Sequence, residues 1–194
     1  RRLRRYFTRG SFESGGRLFG GFWQELKKEQ RKNIIIDDEE AVSLDFSQMG
    51  PRILYGVCRT RPTTEDCYSV LGYERYRNGI KKVFNAMTFA ENPMTRFPKG
   101  VKQMFKEDIR FQEVSDAIQR YHSGIAHKLY VGIGHYLQYL ESHILVKVLL
   151  GLKELGIHAL PIHDALVVGR ACVDMSRQLM EQVFLDMTNL GGYK

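Results

Sequence analysis

Apolar and polar positions change period along the chain in a way that marks strands and helices in turn. Two short apolar runs, Ala159 to Ile162 and Ala165 to Val168, flank a single His163–Asp164 pair. Runs this short and β-branched read as buried strands, and the polar pair between them as the tip of a hairpin. A second hairpin is expected upstream, from Ile34-Ile35-Ile36 through a turn at 37–40 to a strand from Ala41 to Asp45. Helical spacing predicts helices over Met49 to Cys58, with Pro51 confined to the first turn, and over Tyr73 to Ala90. Val101 to Tyr121 reads as one amphipathic helix with Phe105, Ile109, Val114 and Ile118 inward. A long helix is expected from about Ile125 to Leu155, broken near Gly132 and Gly134 and closed by Gly156. Asp174 to Met187 completes the set as an amphipathic helix packed back on the sheet. Thr63 or Thr64 would cap a segment beginning at Glu65–Asp66, and 24–33 reads as a charged helical or linker piece. There is no internal repeat and no low-complexity segment.

The pattern brings forward two aspartates. Asp45 stands at the exit of one predicted strand and Asp164 at the tip of the other hairpin. A carboxylate on rigid backbone is poor packing and good metal ligation, and two of them, far apart in sequence, are what a two-metal phosphoryl-transfer site requires. The helix over 73–90 adds a second feature: Arg77, Lys81, Asn85 and Phe89 recur at intervals of four and share one face, cationic at one end and aromatic at the other. A nucleoside triphosphate presents matching groups, phosphates to Arg77 and Lys81 and a base or sugar to Phe89. An exposed basic helix edge with Phe89 in the core would produce the same spacing.

Composition narrows the class. The chain of 194 residues, 43% hydrophobic, suits one domain or a domain with a small subdomain, and can bury an ordinary core. A net charge of +7 favours a polyanionic partner, nucleic acid before membrane. Three cysteines without CxxC spacing argue for reduced thiols in an intracellular protein, against a zinc site or a disulfide framework. No apolar run approaches the roughly 18 residues of a membrane span, and no signal-peptide pattern opens the chain. An opening Arg in place of Met is what a fragment or a processed chain would show. The N-terminal arm, Arg1-Arg2-Leu3-Arg4-Arg5 with Arg9, would track a phosphate backbone or simply be solvated. The stretch Glu13 to Trp23 reads as a glycine-rich loop whose Arg17 and aromatics suit phosphate and a base face.

These residues resemble a known family. Asp45-Phe46-Ser47-Gln48-Met49-Gly50-Pro51-Arg52 is similar to motif A of family-A DNA polymerases, which runs Asp-Tyr-Ser-Gln with a terminal Arg. Arg77-x3-Lys81 followed by Phe89 is similar to motif B, and Ile162-His163-Asp164-Ala165-Leu166-Val167 to motif C. The three come in the family's order. Ser142-His143, Gly156-Ile157 and His163-Asp164, with Glu13-x-x-Gly16-Arg17-Leu18-Phe19, also resemble phage-type single-subunit RNA polymerases. The resemblance spans residues 13–168.

The resemblance implies an α+β fold: a small antiparallel palm sheet carrying two catalytic aspartates, packed on helices, with a reduced helical fingers subdomain. In one polymerase-like catalytic domain over 1–194, residues 1–60 and 121–194 would form the palm and 61–120 the fingers. Asp45 and Asp164 would hold two Mg²⁺ ions, with Mn²⁺ able to substitute. Lys81 would sit on the triphosphate and donate a proton to the leaving group, beside Arg77. Phe89 would stack near the incoming base, with Asn85, Gln48 and Gly50 around the nucleotide. Arg17, Arg52, Gln138, His143 and His163 would contact primer or template. The partners implied are a nucleic-acid primer–template and nucleoside triphosphates, with a protein or domain supplying a thumb or clamp, and no membrane. A cytoplasmic or nucleoid-associated setting and a phage or mobile-element origin suit such a protein.

Four departures from the family bear on the sugar. DNA-synthesising members place Glu where Gly50 stands. The motif B tyrosine is Phe89, followed by Ala90 instead of Gly, and Asn85 stands where an aromatic is common. The expectation is relaxed sugar selectivity and short, distributive synthesis of a primase-like or gap-filling kind. Two rival readings remain: a catalytically inactive polymerase-like scaffold that binds nucleic acid, and an RNase H-like nuclease. The second needs three or four carboxylates, and Asp66, Glu141 and Asp174 show no supporting placement in the sequence.

Overall fold

The computed structural model describes residues 2–188. The chain separates into two compact units, one made of 1–50 and 136–194, the other of 51–135. The fold is α+β, with small antiparallel sheets packed on helices.

In the first unit the N-terminal segment pairs as a ribbon: β1 (Arg4–Phe7) runs antiparallel to β2 (Gly15–Phe19). The basic arm and the glycine-rich loop expected from composition thus each contribute a strand. Arg4 and Tyr6 point outward while Arg5 and Phe7 are half-buried, an alternation of period two that the density of arginines conceals. Gly15 and Gly16 take positive φ where the register slips by one residue. A short helix, α1 (Lys28–Arg31), follows a 3₁₀ turn at Phe22–Gln24.

The main sheet has the order β3-β4-β6-β5, all antiparallel, from β3 (Ile35–Ile36), β4 (Glu39–Asp45), β5 (Ala159–Ile162) and β6 (Ala165–Gly169). Both expected hairpins are present, and β4 pairs with β6 to join them, with Leu44 opposite Leu166 and Asp45 opposite Ala165. A cluster of Trp23, Ile36, Ile162 and Val167 closes one part of the core, and the Trp23 indole donates to the Pro161 carbonyl at 2.9 Å. The last helix, α6 (Val173–Thr188), packs on β4 and β6, with Phe184 against Phe46. The long helix α5 (Gly134–Glu154) meets α6 at Gly151, where a Cβ would stand 2.9 Å from Leu179. It ends as expected at Gly156, with φ of +74° and bonds from Gly156 N to Lys153 O and Ile157 N to Leu152 O.

The second unit is helical. The helix α2 (Met49–Val57) leads into it, followed by α3 (Arg77–Phe89) and α4 (Phe111–Tyr121). Its core gathers Ile53, Leu54, Ile80, Phe84, Met87, Val114, Ile118 and Ile125, each almost fully enclosed. At its centre lies His122, whose Nδ1 accepts from the Tyr55 hydroxyl at 2.9 Å and whose Nε2 donates to the Cys67 carbonyl at 2.8 Å. A carbonyl only accepts, so the proton of the neutral ring is on Nε2. Burial holds this imidazole well below its ordinary value, at about 4.

Two expected helices are shorter than their periodicity suggests, and one segment expected to carry a cap forms no helix. The segment 101–110 is a 3₁₀ turn and a loop, because the Lys102 ammonium gathers the carbonyls of Lys106, Glu107 and Ile109, while Glu113 reaches back to the Arg110 N–H and starts α4 at Phe111. Residues 129–133 leave the helical path because Tyr130 N and Gly132 N bond to Met87 O and Ala90 O at the end of α3. The segment at Glu65–Asp66 stays irregular, since the Asp66 carboxylate takes up the Tyr68 N–H at 3.0 Å and the Arg77 guanidinium in place of a helical turn.

Candidate functional site

The pairing of β4 with β6 decides the geometry in the first unit. Asp45 ends β4 opposite Ala165, so it stands beside the His163–Asp164 turn, and Phe46 N bonds to the Asp164 carbonyl at 3.4 Å. The two aspartates, 119 positions apart in sequence (164 less 45), are neighbours at the ends of adjacent strands. Asp45 is exposed and Asp164 half-buried. The turn has only two residues, and His163 takes it in the left-handed region at φ of +54°. Burial lowers the His163 pKa, as does the charge of Arg17, against an opposite pull from Asp164.

Glu141 belongs to the same neighbourhood, and sequence reasoning missed it. It sits on α5 with its side chain 13% exposed, and Oε2 accepts from Arg17 Nη2 at 2.9 Å. Burial raises its pKa, the Arg17 bond and charge lower it, and Asp164 raises it again. A Cβ added at Gly50 would stand 3.6 Å from Glu141 Oε1, ordinary van der Waals contact. The sequence reading that Glu141 lacks a supporting placement is therefore corrected. The only signal it offered was one acid within an apolar helix, and nothing local says which strand that acid meets. Arg17 is fixed by this bond while its Nε, buried, has no hydrogen-bond partner.

The other candidates of this unit line the same helix and loop. Gln138 is one turn before Glu141 on α5, half-buried. His143 stacks on Tyr139 at 5.8 Å, its pKa lowered by burial and by Lys147 and Arg5. Ser142, between Glu141 and His143, donates to the Gly16 carbonyl and accepts from Arg5 Nη2 at 3.0 Å, which ties β1, β2 and α5 together. Gln48 has φ of +55° just before α2, and Gly50 lies in the first turn of that helix.

In the second unit the expected face of α3 exists. Arg77, Lys81, Asn85 and Phe89 are all exposed, while Ile80, Val83, Phe84 and Met87 turn inward. Phe89 is at the margin, 36% exposed, edge-on to His135 at 5.1 Å. Gly134 makes room for it, since a Cβ there would lie 2.6 Å from the ring. Arg77 is held: Nε and Nη2 reach Asp66 Oδ2 and Oδ1 at 2.6 and 3.2 Å. Burial pushes the Asp66 pKa up, but the bonds from Arg77 and from Tyr68 N outweigh it and the carboxyl ends below its ordinary range. Lys81 Nζ stands 5.9 Å from the centre of the Tyr68 ring and Arg77 Cζ 5.5 Å from it, so one ring serves both cations. Arg52 donates to the Glu65 carbonyl at 3.0 Å. Asp66 and Tyr68 were not legible as site residues, because an irregular loop carries them to α3.

The donor chemistry can be tested against a divalent ion. Among the described residues no set of three or more His, Cys, Asp or Glu side chains is arranged to hold one. Two adjacent carboxylates nonetheless fit Mg²⁺, a hard cation that keeps water and takes one or two carboxylates together with the phosphates of a substrate. Among the described residues no helix is long and apolar enough to cross a membrane.

The fold of this chain is similar to that of the POL domain of Pol1 from M. smegmatis, in a complex with DNA primer-template and dNTP, with a TM-score of 0.53 and 12% sequence identity. The match covers 91% of this chain and 43% of that one, so the chain spans less than half the length of its structural relative. No protein-family model matches the chain, and no curated protein matches its sequence.

Proposed function

We propose that the protein is a template-directed nucleotidyltransferase, adding nucleotides to a 3′-hydroxyl. The observation that carries this reading is the meeting of Asp45 and Asp164 at adjacent strand ends of an antiparallel sheet, in a fold similar to that of a polymerase domain. These two carboxylates would hold Mg²⁺, or Mn²⁺ in its place, and the ions when bound would neutralise the triphosphate and make the 3′-hydroxyl easier to ionise.

The chain's own residues would do the rest. Lys81 would bind the triphosphate and hand a proton to the departing pyrophosphate oxygen. Arg77 would bind beside it once its bidentate bond to Asp66 opens. Phe89 and Asn85 would meet the base and sugar, with Gln48 and Gly50 at the sugar as well. Arg17, Arg52, Gln138, His143 and His163 would hold primer and template. Gly50 leaves the space beside Glu141 without a side chain, which supports relaxed choice between ribose and deoxyribose. Distributive synthesis of short products, or reliance on a partner that clamps the duplex, follows if affinity comes chiefly from phosphate contacts.

Extension of a labelled primer–template with Mg²⁺ or Mn²⁺, comparing ribo- with deoxyribonucleotides in wild type and Asp164→Ala, tests the reading. Extension that the substitution abolishes is expected, and strict rejection of ribonucleotides would refute the relaxed selectivity. A second reading, a scaffold that binds nucleic acid without metal, is favoured by one observation: Arg77 is already engaged by Asp66. Oligonucleotide binding that ignores metal, with no extension under any condition, would favour it.

A further inference from the structure

The outer face of the β1–β2 ribbon alternates cations with aromatic rings. Register places Arg4 opposite Phe19 and Tyr6 opposite Arg17, and cross-strand partners share a face. Tyr6 and Phe19 then meet diagonally, edge to face, with centroids 5.4 Å apart. From Phe19 the row continues to His163, at 6.0 Å, which is the residue beside Asp164 in the hairpin turn. Tyr6 is 55% and Phe19 40% exposed, more than packing on the ribbon would leave if their purpose were core.

The segment that carries this face is one-sided in its own charge. Between residues 2 and 24 the cations are Arg2, Arg4, Arg5, Arg9 and Arg17, against a single acid, Glu13. Large exposed rings cost solvation, and a row of them interleaved with guanidinium groups matches a ligand that is flat and apolar at one spacing and anionic at another. Unpaired nucleotides have that chemistry: every base offers a π-face and every linkage a phosphate. A duplex does not, because its bases already stack on one another.

We propose that the outer face of the β1–β2 ribbon is a platform for single-stranded nucleic acid, stacking bases on Tyr6 and Phe19 and delivering the strand to the His163–Asp164 turn. Arg4, exposed opposite Phe19, takes a phosphate beside the rings. The platform draws on the polymerase-like reading only for where the strand leads. Its own chemistry needs neither metal nor triphosphate, so it can be tested where no extension can occur.

The test is fluorescence anisotropy of a labelled oligonucleotide of about 12 nucleotides in EDTA, without triphosphates. Loss of each ring, in Tyr6→Ala and Phe19→Ala, is expected to weaken binding by on the order of tenfold, and Phe19→Trp to restore it. Salt separates the two kinds of contact: Arg4→Ala should lower the slope of log K against log salt by about 0.7, while the ring variants leave it unchanged. An abasic oligonucleotide of equal length should bind wild type as weakly as the ring variants bind the intact strand. That comparison needs no substitution and so stands even if a variant misfolds. Equal affinity for abasic strand or duplex, or a Tyr6→Ala/Phe19→Ala protein that binds like wild type, would overturn the proposal. Ring-dependent binding to phosphatidylglycerol vesicles tighter than to the oligonucleotide would overturn it too, in favour of a membrane surface. Failure of primer extension with ring-dependent binding intact would refute the catalytic reading and leave the platform standing.

Discussion

Acidification puts a proton on His122 or unfolds the protein around it. The ring is fully enclosed, its Nε2–H committed to the Cys67 carbonyl and its Nδ1 to the Tyr55 hydroxyl, and burial lowers its pKa from 6.5 to about 4. In the unfolded chain the same imidazole titrates near its ordinary value. The folded state therefore binds fewer protons between the two values, and stability falls as pH falls through that window. The contribution is fully present above about 6.5, declines from there to about 4, and is gone below; at about 1.4 kcal/mol for each pH unit the loss is roughly 3 kcal/mol. That is a large share of the 5–15 kcal/mol typical of a domain. Asp66, held below the ordinary carboxylate range by Arg77, loses its own contribution only at lower pH, so it does not mask this window. Site-resolved NMR of the histidine ring carbons, run alongside urea denaturation from about pH 7.5 to about pH 4, measures both sides of the linkage. The His122 signal should stay that of a neutral Nε2–H tautomer until the pH nears 4, while the denaturation midpoint already falls. A His122 resonance that titrates near 6.5 in a protein that remains folded would refute the reasoning, because it would mean that the charged ring finds solvation inside this core.

Other substitutions test the site and the packing. Asp66→Asn removes the charge that holds Arg77; if Arg77 serves a triphosphate, nucleotide binding by equilibrium dialysis should tighten, and a weakened affinity would assign the pair a purely structural role. Gly79→Ala places a Cβ 2.6 Å from the enclosed Phe105 ring. Overpacking of about 1–3 kcal/mol should exceed the roughly 1 kcal/mol that alanine adds to a helix, so the thermal midpoint should fall.

Much of this protein was legible along the chain. Both hairpins of the main sheet could be read from β-branched runs bounded by polar turns, because strand burial repeats every second residue and needs no distant information. The face of α3 that carries Arg77, Lys81, Asn85 and Phe89 followed from helical spacing, and Gly156 ended α5 where the left-handed position demanded it. The N-terminal ribbon was misread as arm and loop because arginines at both inward and outward positions hide the alternation. Helix lengths failed where side chains captured backbone carbonyls, as Lys102 does, since such bonds leave no periodic trace. Asp45 and Asp164 stood out as carboxylates on strands, but their adjacency belongs to the β4–β6 register, a pairing between segments more than a hundred residues apart. Glu141 and Asp66 show the same limit more sharply. What each does depends on the arginine it pairs with, and that meeting is decided by how helices and loops close around a shared core. Local order was therefore set by sequence through short-range periodicity and turn chemistry, whereas the electrostatics of the site were decided by long-range packing alone.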